Sequence, residues 1–374
     1  MASKIPDMDV KRVNRRKVYR QLLQFQRVSK QELSKILDIS LPTVAQNVRE
    51  LIALGLAEEK EAFASTGGRK AAAIAPVPNA RAAVGLSITP QRYTMVCVNL
   101  LGQIISKQVW KKDFSLDEEY LSQLRRSLEE FLVKCSVPRD RILGVGVTLP
   151  GSLSADCSTV ISSRSLAISN LQTEMLLSGC GLPCRFLNDS HAAAITEFWD
   201  QENPGNLVYL SLNSSVGGSF SCGGQLYSGD RMHSCDFGQL AVISKDAQGQ
   251  DRAARLEDCC SSQVLAQAAG GSLERFFQLV EAGDPSCCNV WQTYSGHLCR
   301  AAAQLHAIFD CGVVLGGEVG SFLAPHLSFL RRMISDQTSG ADDVCSYLTA
   351  GRYPVEPSAA GAALTFIRDF FRCF

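Results

Sequence analysis

Apolar positions spaced three and four residues apart dominate the first part of the chain. From Val10 to Phe25, Val13, Val18, Leu22 and Phe25 fall near one helical face, and Lys11, Arg12, Arg15, Arg16, Lys17 and Arg20 fall on others. Between Val28 and Gly55 the helical pattern is broken once. Ser29 is followed three residues later by Glu32, the spacing in which each side chain caps the other's backbone N–H. Leu33, Ile36 and Leu37 continue as a stripe that stops at the turn Asp38-Ile39-Ser40. A second helix then opens on Ser40 as N-cap, with Pro42 in the first turn where its missing N–H costs little. Val44, Val48, Leu51 and Ile52 face inward, while Thr43, Gln46, Asn47, Arg49 and Glu50 lie on the other faces. Two short helices joined by a tight turn, the second with polar donors near its start, predict a helix-turn-helix whose second helix reads DNA.

After Gly55 the helical period ends. Leu56 to Phe63 and Ala71 to Ala75 flank the Gly67-Gly68 tip and predict a β-wing, with Arg69 and Lys70 where they reach a phosphate or the minor groove. Pro76-Val77-Pro78-Asn79 is a stiff break, which divides the chain into residues 1–78 and 79–374. Beyond it, apolar runs at Ala82–Ile88, Tyr93–Asn99 and Gln103–Trp110 predict strands, Leu116–Cys135 a helix, and Ile142–Thr148 a further strand. Three strands before the first helix make this an α/β fold without a Rossmann-type start. A strand over Cys184–Leu187 and a helix over Ser190–Trp199 put Asn188 and Asp189 at the carboxyl end of a strand, the usual mouth of an α/β site. The same position suits Asp189 as a helix cap. Helices follow over Gln263–Ala269, Leu273–Ala282, Cys288–Phe309 and Ser358–Phe374, with a strand at Cys311–Leu315.

Charge sharpens the division. The net charge is zero, yet the first 81 residues hold 15 Lys and Arg against 8 Asp and Glu, and the remainder 22 against 29. A basic head on an acidic body suits a head that meets phosphates. With 374 residues, 46% of them apolar and 20% charged, there is material for two or three cored domains. No run reaches membrane-span length and the N-terminus carries no apolar signal segment, so cytoplasmic residence is expected. All 15 cysteines follow residue 96 without any C-x-x-C spacing, which predicts reduced, mostly buried thiols.

The order of GVGVTLPG, FLNDSHAAAITEFW, LVYLSLNSSVGGSFSCGGQLYSG, DFGQ and VVLGGEVG, behind a winged head, resembles the ROK family of sugar kinases and sugar-responsive repressors. Within it the chain resembles the repressor branch, such as the xylose and N-acetylglucosamine repressors. The resemblance covers nearly the whole chain and implies a winged helix-turn-helix followed by a two-lobed, actin-like, sugar-kinase-like (ribonuclease H-like) ATPase fold. Lobe one would comprise about residues 79–190 plus the last helix, 358–374, and lobe two about 191–357. The family's first phosphate loop, Asp-x-Gly-x-Thr, is replaced by Ser87-Ile88-Thr89-Pro90, which lacks the carboxylate, the glycine and one N–H donor. The second keeps Gly217 and Gly218 in Asn213–Ser219 but loses the leading glycines. The resemblance implies a sugar pocket made by Asn188, Asp189, Asp236, Gln239 and Glu257. Gln239 stands where the family has a zinc-binding His, and Gly249–Glu257 lacks the family's zinc-binding cysteines.

These features predict a DNA-binding transcriptional regulator, a repressor of carbohydrate-related genes, with no catalytic residue, metal or cofactor. Thr43, Gln46 and Asn47 would read base edges, and Arg49, Arg69, Lys70 and the basic residues of the first helix would hold phosphates. The expected partners are a two-fold symmetric double-stranded DNA operator, a sugar or sugar-phosphate effector, and further copies of the chain in a homodimer or tetramer. The alternatives are a sugar kinase with an appended head, and a ligand-free dimerisation scaffold.

Overall fold

The head starts with α1 (Asp7–Phe25), β1 (Val28–Ser29) and α2 (Lys30–Leu37) in a computed structural model that describes residues 7–60, 72–245, 249–337 and 343–373. Ser29 caps α2 reciprocally with Glu32: Ser29 N–H donates to the carboxylate (2.8 Å) and Glu32 N–H to Ser29 Oγ (3.1 Å). Next come α3 (Leu41–Ala53), β2 (Ala57–Lys60) and β3 (Ala73–Pro76). β2 and β3 pair antiparallel as the wing, and β1 adds a third strand through Val28 opposite Ile74. Two residues that the helical pattern treats as a lead-in thus also close the sheet.

The body's first sheet has the order β11-β7-β4-β5-β6. It is built from β4 (Ala82–Thr89), β5 (Arg92–Asn99) and β6 (Ile104–Lys111), with α4 (Glu118–Lys134) crossing over to β7 (Ile142–Leu149). The first three strands are antiparallel, and β7 runs parallel to β4. The strands β8 (Ser152–Leu153), β9 (Thr159–Ser163) and β10 (Ile168–Gln172) form a small separate sheet, a region with no strong pattern in the sequence. β11 (Cys184–Asn188) then joins β7 in parallel and leads into α5 (Asp189–Ile195).

A second five-stranded sheet has the order β14-β13-β12-β17-β18. In chain order its region holds β12 (Leu207–Leu212), β13 (Val216–Cys222), β14 (Gln225–Leu226), the hairpin β15 (Ala241–Lys245) and β16 (Asp251–Arg255), and α6 (Leu256–Cys260). Then follow α7 (Ser262–Ala268), α8 (Leu273–Glu281), α9 (Pro285–Phe309), β17 (Gly312–Gly316), α10 (Gly317–Gly320), α11 (Leu327–Gln337), α12 (Val344–Tyr347) and β18 (Leu348–Ala350). The long α9 buries Trp291, Tyr294 and Leu298 in this lobe's own core.

α13 (Pro357–Cys373) returns to the first sheet and binds the parts together. Its run of small residues, Ala359 to Ala363, is wholly buried, and its backbone lies so close to β4 and β7 that a Cβ at Gly85 or Gly146 would strike it. Leu364, Ile367 and Phe371 of α13 share one apolar cluster with Val18, Tyr19 and Leu22 of α1 and with Phe198 and Trp199 after α5. The head therefore shares a continuous core with the body. Among the described residues no helix is long and apolar enough to cross a membrane.

Candidate functional site

On α3 the cap residues are arranged as the sequence predicts: Ser40 Oγ lies 2.8 Å from Thr43 Oγ1 and accepts from Thr43 N–H. Gln46 and Arg49 are exposed and Thr43 is half-buried. Asn47 is not available for base reading. It is 2% exposed, and its Nδ2 donates to Thr43 O one turn back (2.8 Å), because position 47 follows Val44 and precedes Val48 on the buried face. The expected wing-tip contacts Arg69 and Lys70 lie outside the described residues.

The cations of α1 are also assigned differently from the sequence reading. Lys11 and Arg15 both pair with Glu50 of α3, at 2.6 and 3.2 Å, and the bond from Lys11 holds that carboxyl below its usual range. Arg12 and Arg16 reach the other way, donating to the carbonyls of Cys373 and Arg372 at the end of α13 (2.9 and 2.8 Å). Arg20 pairs with Glu202 at 2.5 Å. The cations of one helix thus join α3 on one side to the body on the other. No pattern in the sequence distinguishes such a role from a solvated face, since the partners lie up to 361 residues away.

In the body the predicted ligand residues gather on one side of the cleft between the two sheets. Asn188 caps α5: its Oδ1 accepts from Ser190 and His191 N–H (2.9 and 3.0 Å) and its Nδ2 donates to Gly151 O (2.9 Å). Asn188, not Asp189, is therefore the N-cap. Asp189 accepts from Ser190 N–H (2.9 Å), and burial pushes its carboxyl up to about 6. The next loop lies against it, since a Cβ on Gly217 would come within 3.0 Å of Ser190 Oγ. Gly238 in turn packs under Val216 and beside Glu257. Gln239 donates to Glu257 (3.3 Å), which also receives Arg255 (2.8 Å) and, from the β9–β10 turn of the first lobe, Arg164 (3.7 Å). Asp236 is exposed at the head of the short 3-10 turn Phe237–Gln239. Ser152 and His233 add a 2.9 Å bond across the same opening. Arg164, Ser152 and His233 stand outside every motif in the sequence, and nothing in its own segment singles out Arg255.

At the Ser87–Pro90 turn and at α10 several polar groups are engaged with one another. Ser87 is buried within β4, and Thr89 Oγ1 donates to Arg92 O (2.9 Å), closing the turn on itself. Glu318 stands at the start of α10, its carboxylate 3.5 Å from Arg92 and accepting from Ser262 Oγ (2.8 Å). Its backbone N–H is already taken by Asn213 Oδ1 (2.8 Å). The carboxylate and the backbone N–H of Glu318 thus both have partners within the protein. As for zinc, the segment that would carry the cysteines is strand β16 and the start of α6, and among the described residues no cluster of three His, Cys, Asp or Glu could hold a metal.

The ROK family model matches residues 85–368, more than three quarters of the chain, and a winged helix-turn-helix DNA-binding model matches residues 12–58. The chain belongs to the ROK family. This ROK chain is 25% identical over 325 residues to a putative xylose repressor of Caldicellulosiruptor sp. strain Rt8B.4, covering 82% of the chain and 79% of that protein. It is 20% identical over 342 residues to the DNA-binding transcriptional dual regulator NagC of Escherichia coli K12, covering 83% and 81%. A solved ROK family transcriptional regulator, described as a homologue of the E. coli MLC protein, superposes with a TM-score of 0.66 at 20% identity over 96% of this chain and 97% of its own. The fold is thus a winged helix-turn-helix followed by the two-lobed, sugar-kinase-like body of the ROK family. The two lobes approach each other where Gly217 of β13 lies against Ser190, next to Asp189.

Proposed function

We propose that this ROK chain is a transcriptional repressor whose winged head binds DNA and whose body binds a sugar-like effector without phosphorylating it. The carrying observation is that α3 presents Gln46 and Arg49 to solvent while the cations around it are spent fixing α1 to α3 and to α13. The outer face of α3 is thereby left for a major groove, on a head whose position depends on the body. In this reading Thr43 and Gln46 read base edges and Arg49, with Arg69 and Lys70 of the wing, holds phosphates. A two-fold dimer would place two heads on half-sites one helical turn or a multiple apart. Residues 1–78 act as the DNA-binding unit and 79–374 as the sensing unit, with lobe one about 79–190 plus 358–374 and lobe two about 191–357.

Support for a ligand without catalysis comes from the two ends of the cleft. Asp189, Asp236, Gln239 and Glu257 present acceptors and donors suited to hydroxyl groups, whereas Glu318 occupies the place where phosphate would need cations. Gel-shift titration on fragments from the neighbourhood of the chain's own gene tests the head. Gln46→Ala is expected to flatten the preference among sequences, and Arg49→Ala to weaken all of them and lower the salt slope by about one. Equal affinity for all fragments in the wild type would defeat the repressor reading. A coupled assay with ATP and hexoses or amino sugars is expected to stay at background, also for Ser87→Asp, because Glu318 and Asn213 remain in place; turnover would restore the kinase.

A further inference from the structure

Apart from the interlobe cleft, a cavity of about 980 Å³ opens between β11, the carboxyl-terminal half of α13, the turns around the small sheet, and the β13–β14 hairpin. None of the five predicted ligand residues lines it. One wall is cationic, formed by Arg185 of β11 and by Arg368 and Arg372, which lie one helical turn apart on the same face of α13. Arg185 is engaged: it pairs with Asp369 at 2.6 Å and its guanidinium lies 4.5 Å over the Phe366 ring. Arg368 is not. Among the described residues it has no ion pair or hydrogen bond, and its Nε is enclosed without an acceptor. Burial and the like charge of Arg372, only partly offset by the carboxylate of Asp369, push this guanidinium below its ordinary value. The lining also includes Asp156 and Glu174, from the turns of the small sheet. Asp156 is held in its own turn by Ser154 Oγ (2.7 Å) and by Ser158 N–H and Oγ (3.1 and 2.9 Å). The cavity is therefore lined by cations from β11 and α13 and by carboxylates from the turns of the small sheet.

We propose that this cavity is a second effector site, for a small organic phosphate whose phosphoryl oxygens meet Arg368 and Arg372 and whose hydroxyl groups face Glu174 and Asp156. Charge-assisted bonds to a half-buried guanidinium whose Nε lacks an acceptor are the strong contacts such a site can make. The two carboxylates of the lining select a ligand that also carries donors over a purely anionic one. Occupancy would be felt by the head, because the turn of α13 that carries Arg372 also supplies the carbonyls that hold Arg12 and Arg16, and its Phe371 ring lies 5.7 Å from that of Tyr19. This coupling rests on the reading of the head as a DNA-binding unit; the binding itself does not.

The test is thermal unfolding of the full chain at constant ionic strength, with glycerol 3-phosphate or inorganic phosphate replacing chloride. Saturating glycerol 3-phosphate is expected to raise Tm by about 5 °C. The rise should vanish in Arg368→Gln, survive in part in Arg368→Lys, vanish in Ser178→Trp at the exposed rim of the cavity, and persist in the cleft variant Asp189→Asn. In chloride, Arg368→Gln is expected to melt no lower than the wild type, since it removes an unmet donor. An equal rise in wild type and Arg368→Gln, or no rise, overturns the site, and a full rise with inorganic phosphate alone overturns the role given to Glu174 and Asp156. Fluorescence anisotropy on a mixed-sequence duplex at low salt reads the coupling. Glycerol 3-phosphate should change affinity at least twofold in the wild type and not in Arg368→Gln, and an unchanged wild type overturns the coupling while the melting result stands. Absence of any DNA binding would sink the reading of the head, not the cavity.

Discussion

Asp189 is the side chain whose surroundings most constrain the cleft. Its carboxyl is raised by burial to about 6, from a usual value near 4, so the native chain holds a proton that the unfolded chain releases between those values. The stability it contributes is full below about pH 4 and is lost as pH rises through 6. Asp189→Asn is therefore expected to raise urea-unfolding stability at pH 7 by about 2 kcal/mol and to leave it unchanged near pH 3.5; an equal change at both values would refute the burial argument. Asn47 offers the converse case. Asn47→Ala breaks the bond to Thr43 O and should cost about 1 kcal/mol in chemical unfolding with sequence preference on DNA preserved, whereas loss of sequence preference at full stability would return Asn47 to the reading face. The place of Asn188 and Asp189 at the end of β11 was legible because an apolar run precedes them and a helix follows. The burial of Asn47 was not, since position 47 lies between the polar and apolar faces of α3 and only the packing of α1 and α2 decides on which side it falls.

At the scale of elements, the caps of α2 and α3 and the wing strands follow from local spacing, because capping and hairpin pairing act over three to a few residues. α1 and α13 obey longer-range rules. The small-residue run of α13 allows an approach to β4, β7 and α5 that no larger side chain permits, and Gly361 faces the carbonyl of Ala192 directly. Gly361→Val is expected to lower unfolding free energy by about 3 kcal/mol or more, or to prevent soluble expression, by forcing α13 off α5. A melting curve indistinguishable from the wild type would mean the helix has room to move. Thiol positions show the same dependence on range: Cys97 and Cys135 bring their sulfurs within 3.2 Å, and Cys180 and Cys184 within 3.3 Å, although their spacings in the chain carry no motif. Cys222, Cys345 and Cys373 are exposed, while the other cysteines are buried or half-buried.

In the whole molecule, α13 is the member through which lobe one and the head share a core, and Arg12 and Arg16 are the polar ties that accompany it. Replacing both arginines with alanine should leave lobe two's core intact while loosening the head, seen as faster limited proteolysis between residues 60 and 80 at an unchanged main melting transition. Unaltered cleavage would show that the apolar contacts of Tyr19 and Phe371 suffice. The sequence by itself determined the helix-turn-helix, the wing, the α/β character of the body and the erosion of its phosphate loops, because each rests on residues close together in the chain. Only the tertiary structure decided where the cations of α1 go, that Glu318 bonds Asn213 and pairs with Arg92, and that Arg368 lines a cavity without a partner among the described residues. Those outcomes depend on groups brought together from opposite ends of the chain, where electrostatic and packing terms act through space and leave no periodic trace in the order of residues.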